Sequence, residues 1–186
     1  MTNILPNFDQ CWQGCLLFLW IYAFTTRSFA SAVLLFNISW FGSAVLFFTF
    51  LGDLAMRWLV PQDAPKKWYN KVKGATAFLG GMNGAMLGLS IMFSNALGGE
   101  LFQHPDERAI LFTSFAIGHF SQFIINVPSF LVSKGVLEGR KMDPMLKKVN
   151  MKWQELTWIE PDSMMFFIFV VDFLGFVVNL RAAMMK

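Results

Sequence analysis

Charge is scarce in this sequence. Only 15% of the 186 residues are Asp, Glu, Lys or Arg, where a soluble domain carries about a quarter. What charge there is falls into clusters separated by long uncharged runs, a pattern that argues against a water-soluble domain. A formal net charge of +3 is too small for a nucleic-acid partner, which would need a concentrated basic face. Histidine is nearly absent, with only His104 and His119. His104 sits beside Pro105 in a connecting segment and reads as a solvated loop residue. A bis-histidine haem site is therefore excluded, although His119 could still ligate a pigment or haem with a different second ligand.

Cysteine is equally sparse. Cys11 and Cys15 are four residues apart and support neither a disulfide framework nor a statement on redox compartment. They read as two small apolar residues near a membrane surface, with acylation as the alternative. Without His or acid neighbours they make a poor metal site, and no metal is expected. No Lys or Arg precedes Arg27, so the basic start of a secretory leader is missing. Also missing are H-E-x-x-H, G-x-S-x-G, a phosphate-binding loop, Cys/His zinc spacing and a TVGYG-like filter. No Lys falls within an apolar run to hold a retinal. The sequence names no cofactor.

What is abundant is apolar surface. Hydrophobic residues make up 55% of the chain, 22 of them Phe, and the mean hydropathy is +0.49. The fold class expected is an all-α integral membrane protein: a four-helix transmembrane bundle with an N-terminal interfacial helix, in one membrane domain covering 1–186. Spans are expected at about 28–51, 74–97, 109–133 and 163–180, since a helical crossing takes about 20 apolar residues. Residues 11–26 are short for a crossing and carry Trp12, Trp20 and Tyr22, types enriched at the membrane–water boundary. They are expected to lie in the interface, and a fifth, short span is the rival. Asp53 and Arg57, at i and i+4, are placed to pair where the first span ends. Pro128 is expected to kink the third.

Basic residues set the orientation. Arg57, Lys66, Lys67, Lys71 and Lys73 lie in the loop 52–73; Lys134, Arg140, Lys141, Lys147, Lys148 and Lys152 lie in the loop 134–160. The connection between spans two and three has only Arg108. By the positive-inside rule both basic loops face the cytoplasm or its equivalent. With four spans both termini face the other side, and a fifth would bring the N-terminus inside. Within 134–160, Met145, Val149, Trp153 and Leu156 recur at helical spacing among Lys147, Lys148 and Lys152, which predicts a basic amphipathic helix on the membrane surface.

Two sets of residues stand out within the spans. Gly80, Gly84 and Gly88 form GxxxGxxxG, which lets a second helix approach closely, in this chain or in another membrane subunit. The second set is polar. His119, Gln122 and Asn126 share a face at i, i+3 and i+7, and Asp172 shares one with Gly175 and Asn179. Asn37 and Asn83 fall at comparable depth in the first two spans. An ionised Asp in hydrocarbon is costly, so Asp172 must pair, protonate or meet water, and His119 is the partner expected. Asn37, Asn83, Gln122 and Asn126 can steady that pair by hydrogen bonds or act as interhelical glue.

Three functions fit. The first is a non-catalytic accessory or assembly subunit of a larger membrane complex. The second is a midplane binder or carrier of a small lipophilic ligand or a proton, using His119 and Asp172. The third is a membrane-embedded lipid-modifying enzyme of the acid–base isomerase type. Beyond the lipid bilayer and these partners, none is expected.

Overall fold

A computed structural model describes residues 5–59, 66–94, 105–133 and 163–185, and for parts of these, 125–133 among them, the backbone alone. The expected surface helix within 134–160 lies outside the described residues, as does the His104 segment.

The described residues are 94% helical, with no strand among them. In order they form α1 (Leu5–Thr26), α2 (Phe29–Val45), a π-helical turn (Leu46–Phe50), α3 (Gly52–Leu59), α4 (Lys66–Met92), α5 (Pro105–Ser133) and α6 (Ser163–Met184). Three helices among the described residues are long and apolar enough to cross a membrane: Phe29–Phe50, Lys73–Met92 and Phe166–Met184. These coincide with the first, second and fourth of the expected spans. The third, at 109–133, is present as α5 but is not among the three. Its described part opens with Asp106, Glu107 and Arg108 and carries His119 and Gln122 in its middle. The helix assignment of α5 runs past Pro128 without a break.

Each boundary has a local cause. Ser28 caps α2, its Oγ accepting from the backbone N–H of Ser31 at 3.4 Å, and so satisfies one of the free donors at a helix start. At the other end Leu51 donates to the carbonyl of Leu46, five residues back, the widened register of a π turn. Residues Leu46–Phe50 thus prolong the α2 rod before α3 turns away. Asp53, on α3, pairs with Lys73 of α4 and ties the two segments at that end; both side chains are exposed to some extent, which limits the pair to a fraction of a kcal/mol up to about 1 kcal/mol.

The stretch 11–26 is helical, as expected. Its helix begins earlier, at Leu5, and α1 runs antiparallel along the length of α2: Trp12 meets Phe47, Trp20 meets Trp40, and Phe24 meets Phe29. Trp20 is part of the core, stacked on Phe167 and donating from Nε1 to Ser39 Oγ at 2.8 Å. The cause is legible in hindsight, since Trp12, Leu16, Trp20 and Ala23 line up as one apolar stripe. At 22 residues α1 is about 33 Å long at helical rise.

The most extensive helix contact is α5 against α6, and α2 touches α1, α4 and α6. The core they enclose contains Val33, Phe36, Phe41, Phe112, Phe115 and Val171. α4 packs on α2 through glycine. A Cβ at Gly80 would overlap Thr49 Oγ1 in the π turn, and one at Gly84 would sit 3.7 Å from Val45; at Gly88 nothing lies within 4 Å. The first two glycines of the motif therefore meet the end of α2 and its π-helical extension in this same chain.

Beside this apolar core, several polar groups are buried while large apolar side chains are exposed. Asn37, His119, Asp172 and Asn179 are 0% exposed, while Phe18 is 74%, Phe50 73% and Phe78 71% exposed. Water would penalise such a rim of large apolar side chains; hydrocarbon would not.

Candidate functional site

The buried polar groups gather where α2, α5 and α6 meet. α2 contributes Asn37 and, one turn on, Trp40. α5 contributes His119. α6 contributes Asp172, Gly175 and Asn179, spaced so that all three face inward.

The hydrogen bonds order themselves from one fixed point. Asn179 Nδ2 donates to the carbonyl oxygen of Gly175 at 2.8 Å. A carbonyl only accepts, so this bond settles which end of the Asn179 amide is nitrogen. Asn179 Oδ1 then accepts from Asn37 Nδ2 at 2.8 Å, and Asn37 Oδ1 accepts from Asn179 Nδ2 at 3.1 Å. Asn37 Oδ1 also lies 3.1 Å from His119 Nε2. An amide oxygen offers only lone pairs, so Nε2 must carry its hydrogen.

On the other side of the ring, His119 Nδ1 lies 3.3 Å from Asp172 Oδ1, which also accepts the indole N–H of Trp40 at 3.2 Å. With Nε2–H in place, two arrangements satisfy this contact. Either Nδ1 is protonated and faces a carboxylate, or it presents its lone pair to a carboxylic acid. An ionised Asp172 beside a neutral ring would set lone pair against lone pair and leave a bare charge in the core. In both allowed arrangements one proton lies between Nδ1 and Oδ1, and the pair is neutral overall. The second oxygen, Oδ2, is buried with no hydrogen-bond partner among the described residues.

Packing holds the ring in place. Phe41 stacks on it with centroids 5.0 Å apart, and Phe36 lies 5.7 Å away. A Cβ at Gly175 would stand 2.5–2.6 Å from Nδ1, Cγ and Cε1. No other residue type leaves room there, so the glycine is what lets α6 approach the imidazole.

The polar residues singled out in the sequence are divided between two groups. Asn37, His119 and Asp172 belong to the network just described. Asn83 and Gln122 form a separate pair between α4 and α5, with Gln122 Nε2 donating to Asn83 Oδ1 at 3.3 Å and Asn83 Nδ2 donating to the Leu79 carbonyl at 2.8 Å. Asn126 lies on α5 beyond the described side chains. Sequence reasoning missed Trp40 as a member and gave Asn179 no role. Signals for both existed: Trp40 is three residues from Asn37 and Asn179 is seven from Asp172, each on the face of a residue already singled out.

Three cavities bear on access. A gap of about 60 Å³ is lined by Trp40, Gln122, Ser43, Phe47, Phe167 and others, and so lies between the two polar groups. An open groove of about 300 Å³ follows α1 and α2 past Cys15, Leu19 and Gly42. The third lies at one end of the bundle, beside Arg27 and Arg108. None of the three is lined by His119 or Asp172. Among the described residues no three His, Cys, Asp or Glu side chains are gathered to hold a metal.

Comparison of the chain with family models, with curated proteins and with solved structures finds no match.

Proposed function

We propose that this chain is a multi-pass membrane protein of non-catalytic, assembly or accessory type, in which the His119–Asp172 network locks the helices together. The observation that carries this reading is closure. Asn37, His119, Asp172 and Asn179 are each fully buried, and each bonds across to another helix of the same chain. Polar groups used this way join helices where lipid supplies no hydrophobic drive. α5 joins the three apolar helices as a fourth crossing, because its polar residues turn toward its neighbours. α1 lies along α2 over a similar length and makes a fifth. The N-terminus then shares a side with the loop 52–73, the cytoplasmic or equivalent side by charge.

The test of accessory function is size. Native electrophoresis of membranes solubilised in mild detergent is expected to place the chain in a complex well above its own 21.2 kDa. A solitary monomer at native expression would overturn the assembly reading.

One observation favours a second reading, a proton binder or carrier: the 3.3 Å contact of His119 Nδ1 with Asp172 Oδ1, next to a buried Oδ2 with no partner among the described residues. Reconstituted vesicles would separate the two. The lock predicts no proton flux with or without Asp172→Asn; the carrier predicts flux that this substitution abolishes.

A further inference from the structure

The end of the bundle away from the Asp53–Lys73 pair carries a second site that neither the lock nor the carrier uses. A groove of about 360 Å³ opens there, lined by Arg27, Ser28, Ser31, Ser94 and Arg108 around a floor that includes Leu34, Leu35 and Ile38. Arg27, from the turn between α1 and α2, and Arg108, from α5, both line it, and no carboxylate does so among the described residues; Asp106 and Glu107, nearby in sequence, are exposed.

Arg108 is incompletely satisfied. Its Nη2 donates to the Met185 carbonyl at 3.2 Å, but its Nε is buried with no hydrogen-bond partner among the described residues. A desolvated donor on a cation is costly until an acceptor meets it. The groove also lies beside the start of α2, a 17-residue helix whose cap residue Ser28 lines it and whose positive end favours an anion nearby. Ser28 Oγ is occupied with Ser31, donating to its Oγ at 2.9 Å, and that leaves the Ser31 hydroxyl hydrogen to be offered. Two arginines and three serines thus line one groove with no described carboxylate among them, and the ligand chemistry that answers two cations and hydroxyl donors is a phosphate.

The shape says what else the ligand must have. From Arg27 through Ser31, Leu34 and Leu35 to Ile38 the lining residues of α2 form one stripe, polar at the top and apolar below. Eleven helical steps cover about 16 Å, about half the thickness of a hydrocarbon core. A free phosphate would use only the upper part; an acyl chain attached to it would fill the rest. We propose that this groove binds one anionic phospholipid, with its phosphate between Arg27 and Arg108 and an acyl chain along Leu34, Leu35 and Ile38. The inference rests on the membrane reading above but not on the lock.

Native mass spectrometry of the full chain in detergent tests it, with dioleoyl phosphatidylglycerol, dioleoylglycerol and inorganic phosphate as probes. Phosphatidylglycerol is expected to form a one-to-one adduct that dioleoylglycerol does not. Arg27→Gln and Arg108→Gln should each weaken it at least tenfold. Leu35→Trp, which keeps both arginines and fills the floor, should weaken it comparably. Equal binding of phosphatidylglycerol and dioleoylglycerol, or an Arg27→Gln/Arg108→Gln chain that binds like the parent, overturns the proposal. Displacement of the lipid by equimolar inorganic phosphate would show a free-anion site and overturn the lipid assignment. Failure of the membrane reading is separately visible, since alkaline carbonate would then strip the chain from membranes without detergent.

Discussion

At the scale of single residues, the character of the site comes from pairing rather than from any one group. Asp172 is tolerable in the core because His119 and Trp40 meet one of its oxygens, and His119 is oriented because the Asn37–Asn179 amide pair reaches its far nitrogen. Asp172→Asn keeps size and hydrogen-bonding capacity but removes the acid. It is expected to cost about 1–3 kcal/mol, measured as lost thermal stability in detergent. The His119→Gln effect should not add to it, because the two act on one interaction; a double-mutant cycle with additive energies would show that they do not interact. Gly175→Ala places a methyl group against the imidazole and should cost about 1–3 kcal/mol through overpacking, with the histidine side-chain resonances shifted. An unchanged melting curve would mean that α6 is not as close to the ring as described. The pairing of His119 with Asp172 could be anticipated from the cost of a lone carboxylate. That Trp40 shares a face with Asn37, and Asn179 with Asp172, was also legible, but their bonds were not, because sequence shows which residues share a helix face and not which faces meet.

At the scale of elements, two comparisons separate local pattern from packing. Gly80, Gly84 and Gly88 are equivalent in sequence, yet only Gly80 is pressed against the π turn. Gly80→Ala should therefore lower the melting temperature, at about 1–3 kcal/mol for the displaced Thr49 and Phe48. Gly88→Ala, with open space around it, should be neutral or stabilising by up to about 1 kcal/mol from helix propensity. Equal effects at both positions would contradict the described α4 packing. α1 makes the same point. Its aromatic residues suit an interface as well as a core, and composition favoured the interface. The structure places Trp20 against Ser39, Trp40 and Phe167, contacts that depend on where α2 and α6 stand.

At the scale of the whole molecule, the helices alternate in direction, and this makes a topology prediction. With α1 antiparallel to α2, reporters placed before Leu5 and within 60–65 should fall on one side of the membrane. Reporters within 95–104 and after Lys186 should fall on the other. Glycosylation-site or protease mapping reads this directly, and an N-terminal reporter on the same side as the C-terminus would restore the interfacial helix for 11–26. The sequence by itself led to a helical protein with four apolar runs of crossing length and polar residues expected at similar depth; the structure is helical, and three of its described helices are long and apolar enough to cross a membrane. Those properties follow from periodicity and transfer energy, which each helix expresses alone. Only the tertiary structure decided which polar residues share a network: Asn37, His119, Asp172 and Asn179 in one, Asn83 and Gln122 in another. The reason is rotational. A turn of any helix about its axis preserves depth and pattern while exchanging its partners, and the rotation is settled by packing, by Gly175 against His119 and Gly80 against Thr49.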